Sequence, residues 1–435
     1  MGRLAGWVEA GFVLARRRGT KDVGWSLAGT VFQMAVGVVT TVLLARTLGP
    51  TGFGLLSVIL ALVFVVSGLA DIGFTASIIR LGSPEIMQGR DIRHVHTVFL
   101  LLRVAAAATV GVVVTVAGRW LVPSLQLPPQ LAWLAGVAAA AGVSMAVGSH
   151  FVTILQVARN QRGIAVVRSG ASALRLLAYG TLALAHGLSF YSALVVALLA
   201  IPLEMALAAL AAHRTLPLWP PVLRSPPRDW LTLSAWATVP AIIGPLIGQT
   251  DTLLLAGMST ASETGVWNAV ARIAGMVTLV SGALFAVGFP YATGALERGQ
   301  LERYWRLARA AWAALAGACG IGIILAPWIV GFFYGQAFQE GVPVLRWLLA
   351  ANALAVGVIL LVPVAYRLGR ERLVAGVALA EVTVNLGGDV LLIPRYGAVG
   401  CAFATLVMYV IALTLLLPSG SARALRHAEL AAGRT

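Results

Sequence analysis

Val23–Ala45, the turn Arg46-Thr-Leu-Gly-Pro-Thr-Gly-Phe-Gly54 and Leu55–Ile79 together decide the fold class. The first run carries no charged residue and the second carries only Asp71. Each exceeds the ~18 consecutive apolar residues that mark a membrane-spanning helix. The turn is punctuated by Gly49, Pro50, Gly52 and Gly54 and is too short to hold a domain, so the two runs form an antiparallel hairpin across a bilayer. The same unit, a polar bend between two apolar helices, repeats along the chain.

Composition extends this reading to all 435 residues, of which 59% are hydrophobic and 11% charged. A soluble protein carries roughly 25% charged residues, so this chain lacks the polar surface that water would cover. The expected fold class is all-α: a polytopic membrane protein of about twelve transmembrane helices. The spans fall near 23–45, 55–79, 97–117, 131–155, 164–185, 188–212, 231–256, 265–292, 307–332, 342–365, 373–393 and 398–417. The net charge of +15 does not point to nucleic acid, because the basic residues sit in short clusters between apolar runs. With both termini cytoplasmic, 24 of the 31 Lys and Arg residues fall on the inner side and 4 on the outer side, which satisfies the positive-inside rule. Arg103, Arg175 and Arg272 fall within spans.

The proline-rich break 213–230 divides the chain into an N-lobe, 23–212, and a C-lobe, 231–417, each of six spans. Two matches support a duplication: Gln156–Arg162 with Val364–Arg370, 208 residues apart, and Arg46–Gly54 with Met258–Gly265. Lobes with an even number of spans enter the membrane the same way and are related by a pseudo-twofold axis along its normal. A cavity between the lobes is the expected substrate site. Residues 1–22 place Leu4, Trp7, Val8 and Phe12 at helical spacing ahead of Arg16–Arg18, as in an interfacial helix facing anionic lipid, and 418–435 form a cytoplasmic tail. No phosphate-binding Gly-x-x-x-x-Gly-Lys-Ser/Thr exists, and the outer connection Gly118–Gln130 has no carboxylate or His cluster. Movement, rather than catalysis, is the expected work, and no cofactor is implied. Cys319 and Cys401 lie inside apolar runs and read as small packing residues, with neither a disulfide nor a metal site suggested.

A charge in hydrocarbon costs about 2.5–3.5 kcal/mol on insertion scales, so each ionisable residue within a span is a candidate. Arg272, one turn after Asn268 in Val266-Trp-Asn-Ala-Val-Ala-Arg272, offers a fork-shaped donor suited to diphosphate or sugar oxygens, or an ion pair with Asp251. Arg175 either faces substrate or pairs with Glu204, and Arg103 is expected to snorkel to the cytoplasmic surface. Asp71, in Gly68-Leu-Ala-Asp-Ile-Gly73, carries a coupling proton or satisfies a neighbouring Arg. Asp251, with Gln249 and Thr252, has the character of a cation site. Glu381, Asn385 and Asp389 are spaced by four and share one helix face, a polar seam or a transport lining. Pro240 and Pro245, with Gly244 and Gly248, read as a hinge or a static kink.

Several stretches in order resemble the polysaccharide biosynthesis family of lipid-linked oligosaccharide flippases, of the O-antigen type, in the MATE-like MOP superfamily. They are Leu44–Gly54, Asp71-Ile-Gly-Phe-Thr-Ala-Ser-Ile-Ile-Arg80, Asp251–Gly257, Thr264–Arg272, Tyr334-Gly-Gln-Ala-Phe with Leu345–Leu348, and Ile393–Gly400. The resemblance implies ion-coupled movement, with H+ or Na+, of an undecaprenyl-diphosphate-linked glycan from the inner to the outer leaflet of a bacterial or archaeal plasma membrane. It implies a cationic cavity in which Arg272, Arg46 and Arg80 line the path or a gate, and handover to polysaccharide assembly machinery. Twelve spans rather than fourteen separate the chain from the lipid II flippases. The other classes to weigh are a small-molecule efflux antiporter and a non-transporting membrane scaffold.

Overall fold

The computed structural model describes residues 18–125, 128–216, 218–293 and 300–420. The interfacial helix expected at 1–22 and the tail at 418–435 fall mostly outside the described residues. Among those described, every long element is a helix: α1 Arg18–Leu69, α2 Phe74–Met87, α3 Arg93–Ser124, α4 Leu134–Val157, α5 Gln161–Leu184 and α6 Phe190–Thr215, then α7 Arg228–Met258, α8 Ala261–Thr293, α9 Gln300–Tyr334, α10 Gly341–Arg367 and α11 Glu371–Leu416. This is the form hydrocarbon demands, since a helix pairs its backbone donors and acceptors within itself.

Nine of these helices are long and apolar enough to cross a membrane. Two of the nine hold two expected spans each. α1 turns at Gly49, whose φ of 68° lies in the left-handed region, and α11 turns at Gly397, φ 55°. Both are positions where a side chain would be strained. Pro50 follows Gly49 where its ring fits the first turn of a helix. α5, expected to span at 164–185, is long enough but less apolar, because it carries Gln161, Arg162, Arg168 and Arg175. The second span was expected to be continuous over 55–79. It is instead broken at 70–73, and α2 starts afresh from Gly73 (φ 66°). The cause is Asp71, whose Oδ1 accepts from the Thr75 amide (3.0 Å) and caps the new helix.

The described chain divides into two compact units: Met1–Leu48 with Val58–Gln249, and Gly49–Ser57 with Thr250–Thr435. In unit 1, α4 packs against α2, α3 and α6, over a core of Phe74, Ile78, Phe99, Leu155 and Trp230. The proline-rich stretch between the expected lobes packs here: Leu218 is buried, and the Val222 amide donates to Thr97 Oγ1 (3.2 Å). In unit 2, α10 packs against α8, α9 and α11, with Tyr304, Trp305, Val356, Leu361 and Leu413 in its core. Side-chain donors stitch these helices through backbone carbonyls: Tyr304 to Leu360 (2.9 Å), Trp312 to Ala353 (2.7 Å), Tyr334 to Ala269 (2.6 Å) and Asn352 to Ala274 (2.8 Å).

The turns that looked like repeats, around Gly54 and Gly265, meet within unit 2. A Cβ at Gly54 would meet the Ala261 carbonyl, and one at Gly265 would meet the Pro50 carbonyl. Gly54→Ala should therefore cost about 1–3 kcal/mol through overpacking. Gly37→Ala, with nothing within 4 Å of the new carbon, should change stability by less than about 0.5 kcal/mol. Thermal melts of the two variants in one detergent measure the difference.

Candidate functional site

Among the described residues, each unit holds a cluster of charged side chains inside apolar helices. In unit 1, Arg103 is 0% exposed. Its Nη2 donates to Asp71 Oδ1 at 2.5 Å and to Thr75 Oγ1 at 2.8 Å, and its Nη1 donates to Ser149 Oγ at 3.2 Å. The expectation that Arg103 snorkels to the cytoplasmic surface is thus corrected. A carboxylate made available by the break in the α1–α2 span holds the guanidinium inside, where a charge-assisted bond outweighs partial hydration. Of the two sequence alternatives for Asp71, the one realised in the geometry is neutralisation of a neighbouring Arg.

In unit 2, Asp251 of α7, Asp389 of α11 and Cys401, beyond the Gly397 turn of α11, place one ligand atom each within 4.8 Å of one another. Asp389 and Cys401 are fully buried. Neither oxygen of Asp389, nor Asp251 Oδ1, has a hydrogen-bond partner. Two carboxylates cannot both stay charged, unpaired and dry, so the arrangement calls for a proton or a cation. Oxygen donors suit a hard cation, and a proton shared between the two acids meets the same need. Beside them, Thr252 Oγ1 donates to Asn268 Oδ1 (3.2 Å) while Asn268 Nδ2 donates to the Thr264 carbonyl (2.9 Å).

The sequence singled out Asp251 and Asp389 separately and did not pair them. It read Cys401 as a packing residue, whereas its thiol completes the cluster. Glu263 was missed as well: its Oε2 accepts from the Ala398 amide (2.6 Å), and its carboxylate fills the space where a Cβ on Gly397 would stand. A glutamate two residues into α8 and a glycine after Arg395-Tyr396 were the available signals.

The remaining candidates are placed as follows. Arg272 is exposed on α8 and makes no ion pair, with Asp251 or otherwise, among the described residues. Arg80 is exposed on α2 and Arg175 half-buried on α5; neither has a carboxylate partner among the described residues, so Arg175 does not meet Glu204. Arg46 is exposed at the end of the first span. Glu381 is half-buried two turns before Asp389 and takes no hydrogen bond among the described residues. The side chains of Pro240 and Pro245, the expected hinge, lie outside the described residues.

Long apolar helices interrupted at glycines, with acids and arginines held inside them, define a multi-pass membrane protein. The chain belongs to the polysaccharide biosynthesis protein family, whose family model matches residues 20–294. No curated relative matches it. Among solved structures it is similar to an inward-facing multidrug resistance MATE family transporter of the MOP superfamily (TM-score 0.69, 16% identity, 93% of this chain and 96% of that one). It is also similar to the lipid II flippase MurJ in its inward closed conformation (TM-score 0.70, 12% identity, 94% and 90%). A third is the Vibrio cholerae MATE transporter VcmN (TM-score 0.60, 15% identity, 94% and 96%). At these identities the likeness is one of fold.

Removing one partner of a buried ion pair strands the other charge, which costs about 3–5 kcal/mol. Arg103→Ala should lose that much stability, and adding Asp71→Ala should restore part of it. A double-mutant cycle on denaturation midpoints reads the coupling.

Proposed function

We propose that the protein is a flippase that moves a polyprenyl-diphosphate-linked oligosaccharide, of the undecaprenyl type, from the inner to the outer leaflet for surface polysaccharide assembly. The lobes 23–212 and 231–417 rock against each other in alternating access, and an inward flow of H+ or Na+ drives the cycle. The membrane is the plasma membrane of a bacterium or archaeon, with both termini cytoplasmic. The work is transport rather than catalysis.

The observation that carries this reading is that, apart from Arg103 with Asp71, the candidate charges are not cancelled by one another. Arg272, Arg175 and Arg80 have no carboxylate partner among the described residues, while Asp251 and Asp389 face each other without a donor. Fixed guanidinium groups suit an anionic diphosphate, which cannot cross hydrocarbon by itself. The polyprenyl tail stays in the bilayer. The acid pair suits the coupling ion: binding there removes a repulsion, so occupancy favours whichever conformation brings Asp251 and Asp389 together. Asp71, being engaged by Arg103, contributes to coupling less than these two acids. Glu381 lies on the face of α11 that leads to them.

In cells lacking the chromosomal gene, Arg272→Ala at normal protein level should abolish glycan export and leave lipid-linked sugars on the inner leaflet. Unchanged export would remove Arg272 from the path. Asp389→Asn should leave substrate binding intact while transport no longer responds to an imposed ion gradient. A wild-type protein that exports cationic drugs and leaves glycans untouched would instead support the efflux reading, and one that moves neither would support a scaffold.

A further inference from the structure

Unit 1 contains buried titratable groups that the transport reading does not use. His150 of α4 is 0% exposed, and His96, in the first turn of α3, is 6% exposed. His150 Nε2 lies 3.0 Å from His96 Nδ1, so one imidazole donates and the other accepts. His150 Nδ1 is buried and has no partner. The two rings stand 5.0 Å apart, and Phe151 covers both, at 5.9 Å from each. The dry site favours two neutral rings sharing one hydrogen bond, so the ligand that such a pair can take, one further proton, arrives only at low pH and puts an unbalanced charge there.

The pair is adjacent to the ion pair that secures the helix break. Ser149, the neighbour of His150, accepts from Arg103; Arg103 in turn holds Asp71 and Thr75 across residues 70–73. The charged groups facing the histidines are Arg103 from α3 and, behind it, Asp71 from the α1–α2 junction. Elsewhere α2, α5, α6 and α7 bring apolar side chains to this core, among them Phe74, Ile164, Ala208 and Trp230. A second cation therefore enters a site with a single carboxylate that already has a guanidinium on it.

We propose that His96 and His150 form a proton-binding site that controls the α1–α2 break. With both rings neutral, Arg103 sits between Ser149 and Asp71 and the break is held. One added proton, on the free ring nitrogen of either histidine, puts imidazolium beside guanidinium in a water-poor core. The like charges separate, Arg103 withdraws, and the break at 70–73 loosens. No other reactant is needed, since the proton comes from and returns to water. This device is separate from the Asp251–Asp389 cluster and does not depend on what that cluster binds.

The test follows hydrogen exchange of residues 68–75 in the full-length protein in lipid nanodiscs, normalised for intrinsic exchange, between about pH 7.5 and about pH 3.5. The wild type should lose about tenfold protection in that segment on acidification. His96→Gln and His150→Gln, which keep a hydrogen-bonding amide but cannot titrate, should each reduce the change to less than about twofold. Asp389→Asn should leave the full response in place. The proposal is overturned if wild-type protection does not vary with pH, or if a folded Gln variant keeps the wild-type response. Should His150→Gln fail to fold, His96→Gln, at the edge of the core, decides the matter alone.

Discussion

Hydrocarbon offers no partner to a peptide group, and most of this structure follows from that constraint. It explains why all the long described elements are helices. At Gly49, Gly73 and Gly397 the chain takes left-handed backbone angles. The groups freed there find local partners: Asp71 takes the Thr75 amide, and Glu263 takes the Ala398 amide. Two of these three interruptions, at Gly73 and Gly397, thus hold a carboxylate in an apolar region.

Side chains obey the same constraint with more freedom. Arg103 meets it at its two terminal nitrogens, through Asp71, Thr75 and Ser149, while its Nε stays without a partner. The pair Asp251 and Asp389 leaves it unmet, since three of the four carboxylate oxygens lack any donor. Satisfied polar groups hold helices together and specify how they pack. Unsatisfied ones are high in energy until a ligand arrives, which makes the packing around them sensitive to occupancy. Burial does not separate the two clusters, since Arg103 and Asp389 are equally buried; hydrogen bonding does.

Family membership narrows the chemistry without specifying the cargo. The fold is shared with proteins described as multidrug transporters and with a lipid II flippase. What differs among such proteins has to lie in the side chains lining the path. In this chain the in-span bases are arginines, and all but one of its basic residues are arginine. A planar guanidinium engages phosphate oxygens two at a time, which fits a diphosphate head better than a cationic drug.

Hydropathy and glycine placement, both local properties, were sufficient to establish that the chain spans a membrane many times. The Arg46–Gly54 turn and a turn between 393 and 398 were legible there. Pairing was not. Asp71 and Arg103 are 32 positions apart, His96 and His150 are 54 apart, and Asp251 lies far along the chain from Asp389 and Cys401. Helical periodicity states which face of a helix a residue is on, yet is silent on which other helix that face meets. Arg103 was misplaced for this reason, and the nearness of Cys401 to the two acids was not seen. The energy of a buried charge depends on its nearest partner, and only the packing of helices distant in sequence decides who that partner is.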